Sequence, residues 1–365
     1  MKNVFARTLT LATLIATVFT ACKKESLPKP QPQPTPPVVN PPAEGGHFTV
    51  KLKAAITVGD VVYDSIPATF TITSWDANGV QHQKDTTLQA GAQDIQLPKA
   101  HSRYAFSVNK WGVQDQLVLN MADVIEGRTY TLGGSKAAKK LQSVTQYAFV
   151  NGAFVPSQRQ VFAYDVQGRI KHIDQYGANE QGVLSLSSRD EFVYDGNKLR
   201  VENVNIGGNR TVWFHHAYTF DAQGRAIQSE YRYITEHHIY TNQYNGNGIT
   251  MLIGEGANNP NGSRIALKFA GGNRVEEKTI IPNYTNTIKS LTYDFNINPY
   301  AVIKMPSLHF ELSSKNNVLT EAWEGHDANR NEYSYDAEGY VTEVITKGRN
   351  NNGGYVNTGK TVYAY

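Results

Sequence analysis

Along most of the chain, apolar and polar residues alternate in twos, which places every second side chain on one face and predicts strands rather than helices. Between residues 47 and 134 the alternating segments are short and closely spaced: FTVKLKAAITV, ATFTITSWD, QDIQLP, YAFSVNKWG, DQLVLNM and RTYTLGG. Asp76-Ala-Asn-Gly79 and Pro98-Lys99 supply turns between them, so six or seven strands here predict a small β-sandwich.

From residue 141 to the end one phrase recurs: FAYDVQGRI from Phe162, YTFDAQGRA from Tyr218 and YSYDAEGYV from Tyr333. Alignment on the aromatic-Asp step gives Tyr164-Asp165, Tyr194-Asp195, Phe220-Asp221, Tyr293-Asp294 and Tyr335-Asp336, with degenerate copies at Tyr244-Asn245 and Phe269-Ala270. Successive intervals are 30, 26, 24, 25, 24 and 42 residues, and the last accommodates one further copy near Leu312 to Asn317. A period in the twenties signals an array of supersecondary units, each incomplete alone. Asp at the first turn position bonds its own downstream backbone, and Gly three residues later accepts a left-handed conformation, so each phrase closes a hairpin. Phe162 with Tyr164, and Tyr333 with Tyr335, fall on one face of their strands. The predicted fold is all-β: a small sandwich followed by a long, curved antiparallel meander of about eight hairpins. Whether that sheet stays open or closes on itself is not fixed by the pattern. Its non-core face carries Arg169, Lys171, Lys198, Arg200, Glu202 and Glu230. Such charges cost about 2–4 kcal/mol each against lipid, so a lipid-facing barrel is disfavoured although the terminal TVYAY resembles an outer-membrane strand.

The N-terminus adds an address. Lys2 and Arg7 precede an apolar run from Leu9 to Phe19, and small residues lead to Cys22, the layout of a secretory signal over residues 1–21. Phe19-Thr20-Ala21-Cys22 resembles a bacterial lipobox, which implies a lipidated Cys22 as the mature N-terminus. Cys22 is also the only cysteine, so no disulfide or cysteine-based metal site is available. Residues 22–46 are proline-dense and polar, a semi-rigid extended spacer. With 365 residues the rest divides into a domain over 47–134 and a second over 141–365. Loss of Lys2 and Arg7 with the signal leaves 33 basic against 32 acidic residues, a balance that excludes the basic face nucleic acid requires. The expected partner is therefore the membrane, through the lipid. The expected location is the outer membrane, at the cell surface or the periplasmic face, and Lys23-Lys24-Glu25 resembles the export tags of surface lipoproteins.

The pattern Tyr-x-[Tyr/Phe]-Asp-x-x-Gly-Arg resembles the tyrosine-aspartate repeats of Rhs and teneurin shells. The layout over about Leu141 to Tyr365, including NPYAVIKMPSLHFELSSKNNVLTE before the last phrase, is similar to Bacteroidota-type lipoproteins that carry such a repeat domain of unknown function. The 47–134 region resembles prealbumin-like or immunoglobulin-like modules. The resemblance implies a fold and a location, and supplies no catalytic residues.

Candidate chemistry is sparse. His215-His216 and His237-His238 invite a metal, but strand neighbours point to opposite faces, so each pair offers one ligand per face. Glu276-Glu277 is a carboxylate pair of the kind a glycan-active hydrolase needs. Trp213, Tyr231, Tyr233 and Trp323 are candidates for stacking on a ligand such as a glycan, while Trp75 and Trp111 read as packing. Asp64-Ser65-Ile66 and Asp85-Thr86-Thr87 resemble an O-glycosylation sequon, at Ser65 and Thr86. No cofactor is implied. The expected function is a non-enzymatic binding or adhesion module for an extracellular polymer or envelope protein; the alternatives are an envelope scaffold and a glycan-active hydrolase.

Overall fold

A computed structural model describes residues 46–365 except 207–210, 234–235, 247, 254–262, 284–285, 304–313, 325 and 351. The signal, Cys22 and most of the spacer lie outside the described residues.

The N-terminal strands are β1 (His47–Val58), β2 (Val61–Ile66), β3 (Ala68–Asp76), β4 (Gln81–Leu88), β5 (Gln93–Pro98), β6 (His101–Lys110), β7 (Val113–Asn120) and β8 (Thr129–Lys136). One four-stranded sheet is built on β1, which pairs with β5 along His47–Leu52, with β2 along Ala54–Val58, and with β8 in parallel. The other runs β4-β3-β6-β7. The alternation in β1 buries Val50, Leu52, Ala54, Ile56 and Val58 in one core with Phe70 and Ile72 of β3 and with Tyr104 and Phe106 of β6.

The remaining strands are β9 (Ser143–Val150), β10 (Ala153–Tyr164), β11 (Ile170–Ala178), β12 (Leu184–Asp195), β13 (Lys198–Asn205), β14 (Val212–Phe220), β15 (Ala226–Tyr233) and β16 (Glu236–Asn245), then β17 (Gly248–Ile253), β18 (Arg264–Ala270), β19 (Asn273–Ile280), β20 (Thr287–Tyr293), β21 (Val318–Trp323), β22 (His326–Tyr335), β23 (Val341–Arg349) and β24 (Tyr355–Ala364). Each pairs antiparallel with the next, and β24 returns to β9 through Tyr363 opposite Val144 and Thr361 opposite Gln146. Among the described residues these 16 strands form a closed barrel. The expected architecture, a small sandwich followed by a curved meander of repeat hairpins, is thereby corrected: the dominant element is a closed barrel.

Closure has a local cause. The Asp-x-x-Gly phrases do reverse the chain, with Gly168, Gly224 and Gly339 at φ near +80° (79, 74 and 82) and their amides bonded to the carbonyls of Asp165, Asp221 and Asp336. Just past each of these turns, and past the β18–β19 turn, one extra residue is inserted: Lys171, Ile227, Val275 and Thr342 have no partner on the facing strand. A bulge bends its strand and increases right-handed twist. Repeated at one end of every second hairpin, it curls the sheet until its edges meet.

Each bulge also explains a tyrosine. The carbonyls of Ile170, Ala226, Arg274 and Val341 directly precede the inserted residues, and the next hairpin's tyrosine donates to each: Tyr194 at 3.1 Å, Tyr244 at 2.8 Å, Tyr293 at 2.5 Å and Tyr365 at 3.1 Å. The arginine of the phrase completes the staple. Arg169 bonds Asp165 at 2.7 Å and lies 4.2 Å over the Tyr194 ring, while Arg225 bonds Asp221 at 2.7 Å and lies 4.6 Å over Tyr244. Replacing Tyr194 or Tyr244 by Phe removes one hydrogen bond to a bulge carbonyl and should lower unfolding free energy by about 1 kcal/mol in urea titrations. No change would mean that the hydroxyl does not serve the bulge.

The fourth aromatic-Asp step, Tyr293-Asp294, has no turn glycine, and the chain instead leaves β20 on a long connection to β21. Its described part holds a short helix, α1 (Pro299–Val302), capped by Asn298. Ser314 to Asn317, where an eighth hairpin was expected, belong to this connection and form no strand, and Leu312 and Ser313 lie outside the described residues. The connection plugs the barrel end at which the turns sit. Asp294 accepts from the Tyr335 hydroxyl and from the Asn317 amide (3.0 Å), and Asn298 binds Ser314 O at 2.8 Å. The N-terminal sheets cap the same end. Tyr63 donates to Lys315 O (2.9 Å), Lys136 donates to Glu338 O (2.8 Å), and Ile297, Val302 and Tyr340 share one buried cluster with the cores of β1, β3 and β6.

Candidate functional site

Cross-strand partners share a face, so the register separates the inside of the barrel from the outside. Phe162, Ile173, Phe192, Leu199, Val201 and Tyr218 converge in one buried cluster with Tyr300 of the plug and with Tyr363 and Tyr365, which fixes that face as inner. The outer face is charged at mid-height. Arg189 pairs with Asp174 at 2.6 Å, Arg200 with Glu202 at 3.1 Å, His237 with Glu230 at 2.9 Å and Lys360 with Glu343 at 3.5 Å. A membrane-spanning barrel instead presents an apolar band about 25 Å tall at these positions.

The inner face continues upward from each aromatic pair at a spacing of two. Gln158 and Gln160 precede Phe162; Ser188 and Asp190 precede Phe192; Phe214 and His216 precede Tyr218; Asn329 and Asn331 precede Tyr333. Three layers result: an aromatic floor on the plug, a polar belt, and a more exposed mouth away from the plug. Exposure rises with that order, from 6% at Phe162 and 5% at Tyr218 to 38% at Tyr233 and 41% at Trp323. Gln146 and Gln158 are exposed although they point inward, so water reaches the lumen at their level.

One side of the upper lumen is a ladder of rings. Phe214 and Tyr231 lie 6.1 Å apart, His216 and Tyr231 4.8 Å, Tyr231 and His238 6.2 Å, and His238 and Tyr240 6.4 Å. Below it Asn242, 7% exposed, donates to Ala226 O at 2.8 Å, and its buried Oδ1 has no hydrogen-bond partner. Across β9 to β13 lie the amides. Gln175 and Asn203 both donate to Asp190, at 2.7 and 2.6 Å, and burial pushes the Asp190 carboxyl above the usual carboxylate range against those hydrogen bonds. On β19 to β21 the inward charges are paired, Arg274 with Glu277 at 2.6 Å and Lys289 with Glu321 at 3.1 Å.

Of the four candidate stacking residues, Tyr231, Tyr233 and Trp323 are inner-face residues of the upper lumen, Trp323 with the Lys289 ammonium 5.3 Å over its ring. Trp213 is the extra residue of a bulge between Val212 and Phe214, with no partner on β13, so alternation assigns it to neither wall. The histidine pairs are split between the walls: His216 and His238 join the ladder, while His215 and His237 face out. Among the described residues no three His, Cys, Asp or Glu converge as metal ligands. Glu277 faces in and Glu276 faces out, so the two do not form a carboxylate pair. Ser65 sits on β2 at φ +61° beside the β1 irregularity, and Thr86 lies on β4 opposite the buried Phe70. Trp111 is buried at the junction with the barrel, and Trp75 lies under Arg103. The other lumen residues are polar and carry no signature like that of the aromatic pairs; extending the period of two by two more steps names them.

No family model matches this chain, and no curated protein matches it. Among solved structures it is similar to a porin-like protein from Bacteroides uniformis, with 14% identity and a TM-score of 0.45, covering 61% of this chain and 97% of that one. It is also similar to a porin-like protein from Bacteroides vulgatus, with 12% identity and a TM-score of 0.39, covering 62% and 98%. The expected resemblance to lipoproteins with tyrosine-aspartate repeats is corrected accordingly: no family model supports it, and these two similar structures are of porin-like proteins.

Proposed function

We propose that this chain is a non-enzymatic binding module of the cell envelope, tethered to the outer membrane by lipid on Cys22, whose ligand enters the barrel at the end away from the plug. The observation that carries this reading is the inner-face gradient: side chains are sealed at the plug and become accessible towards Tyr233 and Trp323. The ion-paired outer wall supports a barrel held beside the membrane by its lipid rather than inserted in it. The placement of Gly46 supports a mouth that faces outward. It bonds Lys99 at one end of β1, whereas Gly59 at the other end of this 12-residue strand bonds Lys136 beside the barrel. The linker therefore joins roughly 40 Å from the plugged end, and the mouth lies further away still. Acylated Cys22 in the N-terminal peptide, and release of a Cys22→Ser chain to the soluble fraction, would match the tether.

The binding test uses deproteinised, delipidated cell-surface polymer titrated into the purified chain, read by intrinsic fluorescence. Tyr231→Ala and Trp323→Ala should each weaken binding about tenfold, the loss of roughly 1.4 kcal/mol of ring contact, while the outward Tyr176→Ala should leave it within twofold. Equal loss from all three, or no loss from the inward pair, contradicts a lumen site and favours a scaffold.

A further inference from the structure

The chemistry of the lumen walls identifies the ligand class. We infer that the barrel takes a neutral carbohydrate chain, an inference that rests on the lumen being the binding site. Three independent features converge. The amide belt, Gln146, Gln158, Gln160 and Gln175 on β9 to β11, occupies adjacent inner-face positions, with Gln158 opposite both Gln146 and Gly177 and Gln160 opposite Gln175. Each primary amide offers two donors beside an acceptor, a match for vicinal hydroxyls that are themselves donors and acceptors. On β14 to β16 the rings of Tyr231, His238 and Tyr240 present the flat apolar surface that the C–H face of a sugar ring covers. At the foot of that ladder the Asn242 Oδ1, buried and without a partner, asks for a hydroxyl donor.

Other ligand classes fit less well. An apolar chain in this lumen would strip water from the glutamines and leave them unpaired, at a cost of about 1–3 kcal/mol per group. A polyanion or polycation would need uncompensated charge, but the inward Arg274 and Lys289 are held by Glu277 and Glu321. Walls that are polar and interleaved with rings, with Arg274 and Lys289 already paired and Asp190 held by Gln175 and Asn203, favour a neutral polyhydroxylated chain.

The test runs the full chain on native gels cast with starch, mannan or xylan, and in parallel with polygalacturonate, while 1-anilinonaphthalene-8-sulfonate fluorescence reports apolar occupancy. The expected result is retardation by at least one neutral polysaccharide. Apparent affinity should fall tenfold or more in the Gln158→Ala/Gln160→Ala double variant and in Tyr231→Ala, and should not change in Tyr176→Ala on the outer wall, with unaltered melting curves excluding misfolding. Retardation by polygalacturonate alone overturns the carbohydrate class. So does a dye signal that no neutral polymer displaces; if Tyr231→Ala still alters that signal, the lumen site itself stands. Retardation indifferent to both inward variants, or none in any gel and no dye response, overturns the inference and the lumen site together.

Discussion

Gly339→Ala should cost about 3–4 kcal/mol of unfolding free energy, whereas Gly224→Ala, in the same kind of turn, should cost about 1 kcal/mol. Both glycines hold a left-handed backbone, φ +82° and +74°, so both substitutions pay the same conformational term. They differ in what a Cβ meets. At Gly224 nothing lies within 4 Å, but at Gly339 the indole of Trp111 would stand 2.3 Å away. Trp111 is 5% exposed, stacks edge-on to Tyr63 at 5.3 Å and belongs to the cluster that joins the N-terminal sheets to the plug. Displacing it breaks that joint core. Denaturant titrations of the two variants separate the effects, and equal losses would show that the N-terminal sheets do not brace the barrel through this contact.

The second large effect is expected at Asp294. Its carboxylate accepts from four donors: the Tyr335 hydroxyl, the backbone amides of Asn296 (3.1 Å) and Asn317 (3.0 Å), and the Asn317 side chain (3.1 Å), which also donates to Ile297 O at 3.3 Å. Burial, and then the hydrogen bond to Asp294, push the Tyr335 hydroxyl far above its ordinary pKa, so this proton stays on oxygen and must be accepted somewhere. Asp294→Ala leaves buried donors unpaired and should cost about 3–5 kcal/mol. The aspartate at the equivalent step of the first phrase, Asp165, closes an exposed turn through Arg169 and its own backbone, so Asp165→Ala should cost about 1 kcal/mol. Thermal melts of the pair check this. Similar losses would mean that the plug is not held by Asp294.

Much of the local structure was legible in the order of residues. Period-two alternation marked the strands, and Asp165, Asp221 and Asp336 with their glycines marked the bends. The aromatic pairs marked the inner face. What the pattern could not carry was closure. The seam joins Ser143 to Ala148 with Gly359 to Ala364, more than 200 residues apart, and backbone hydrogen bonds leave no residue signature. The bulges at Lys171, Ile227, Val275 and Thr342 that curl the sheet are likewise unmarked, since a lysine and three β-branched residues are ordinary in any strand. The last TVYAY did contain the clue. Tyr363 and Tyr365 repeat the spacing of Phe162 and Tyr164, so they are themselves the eighth step of the repeat, and Tyr365 clasps Val341 O as the other tyrosines clasp theirs. The charged outer residues argue against a lipid-facing wall and leave closure itself open. A barrel can close in water if its rings and apolar side chains turn inward, as Phe162, Phe192 and Tyr218 do.

Closure is tested most directly at the seam. Thr145 faces Val362 across it on the outer wall, and Thr145 also faces Arg159 within the β9–β10 hairpin. In the full chain, cysteines at positions 145 and 362 should oxidise to an intramolecular disulfide as readily as a control pair at 145 and 159, detected by mass spectrometry of the digested protein. Formation of the 145–159 bridge with no 145–362 bridge would mean that the first and last strands stand apart and that the sheet is open.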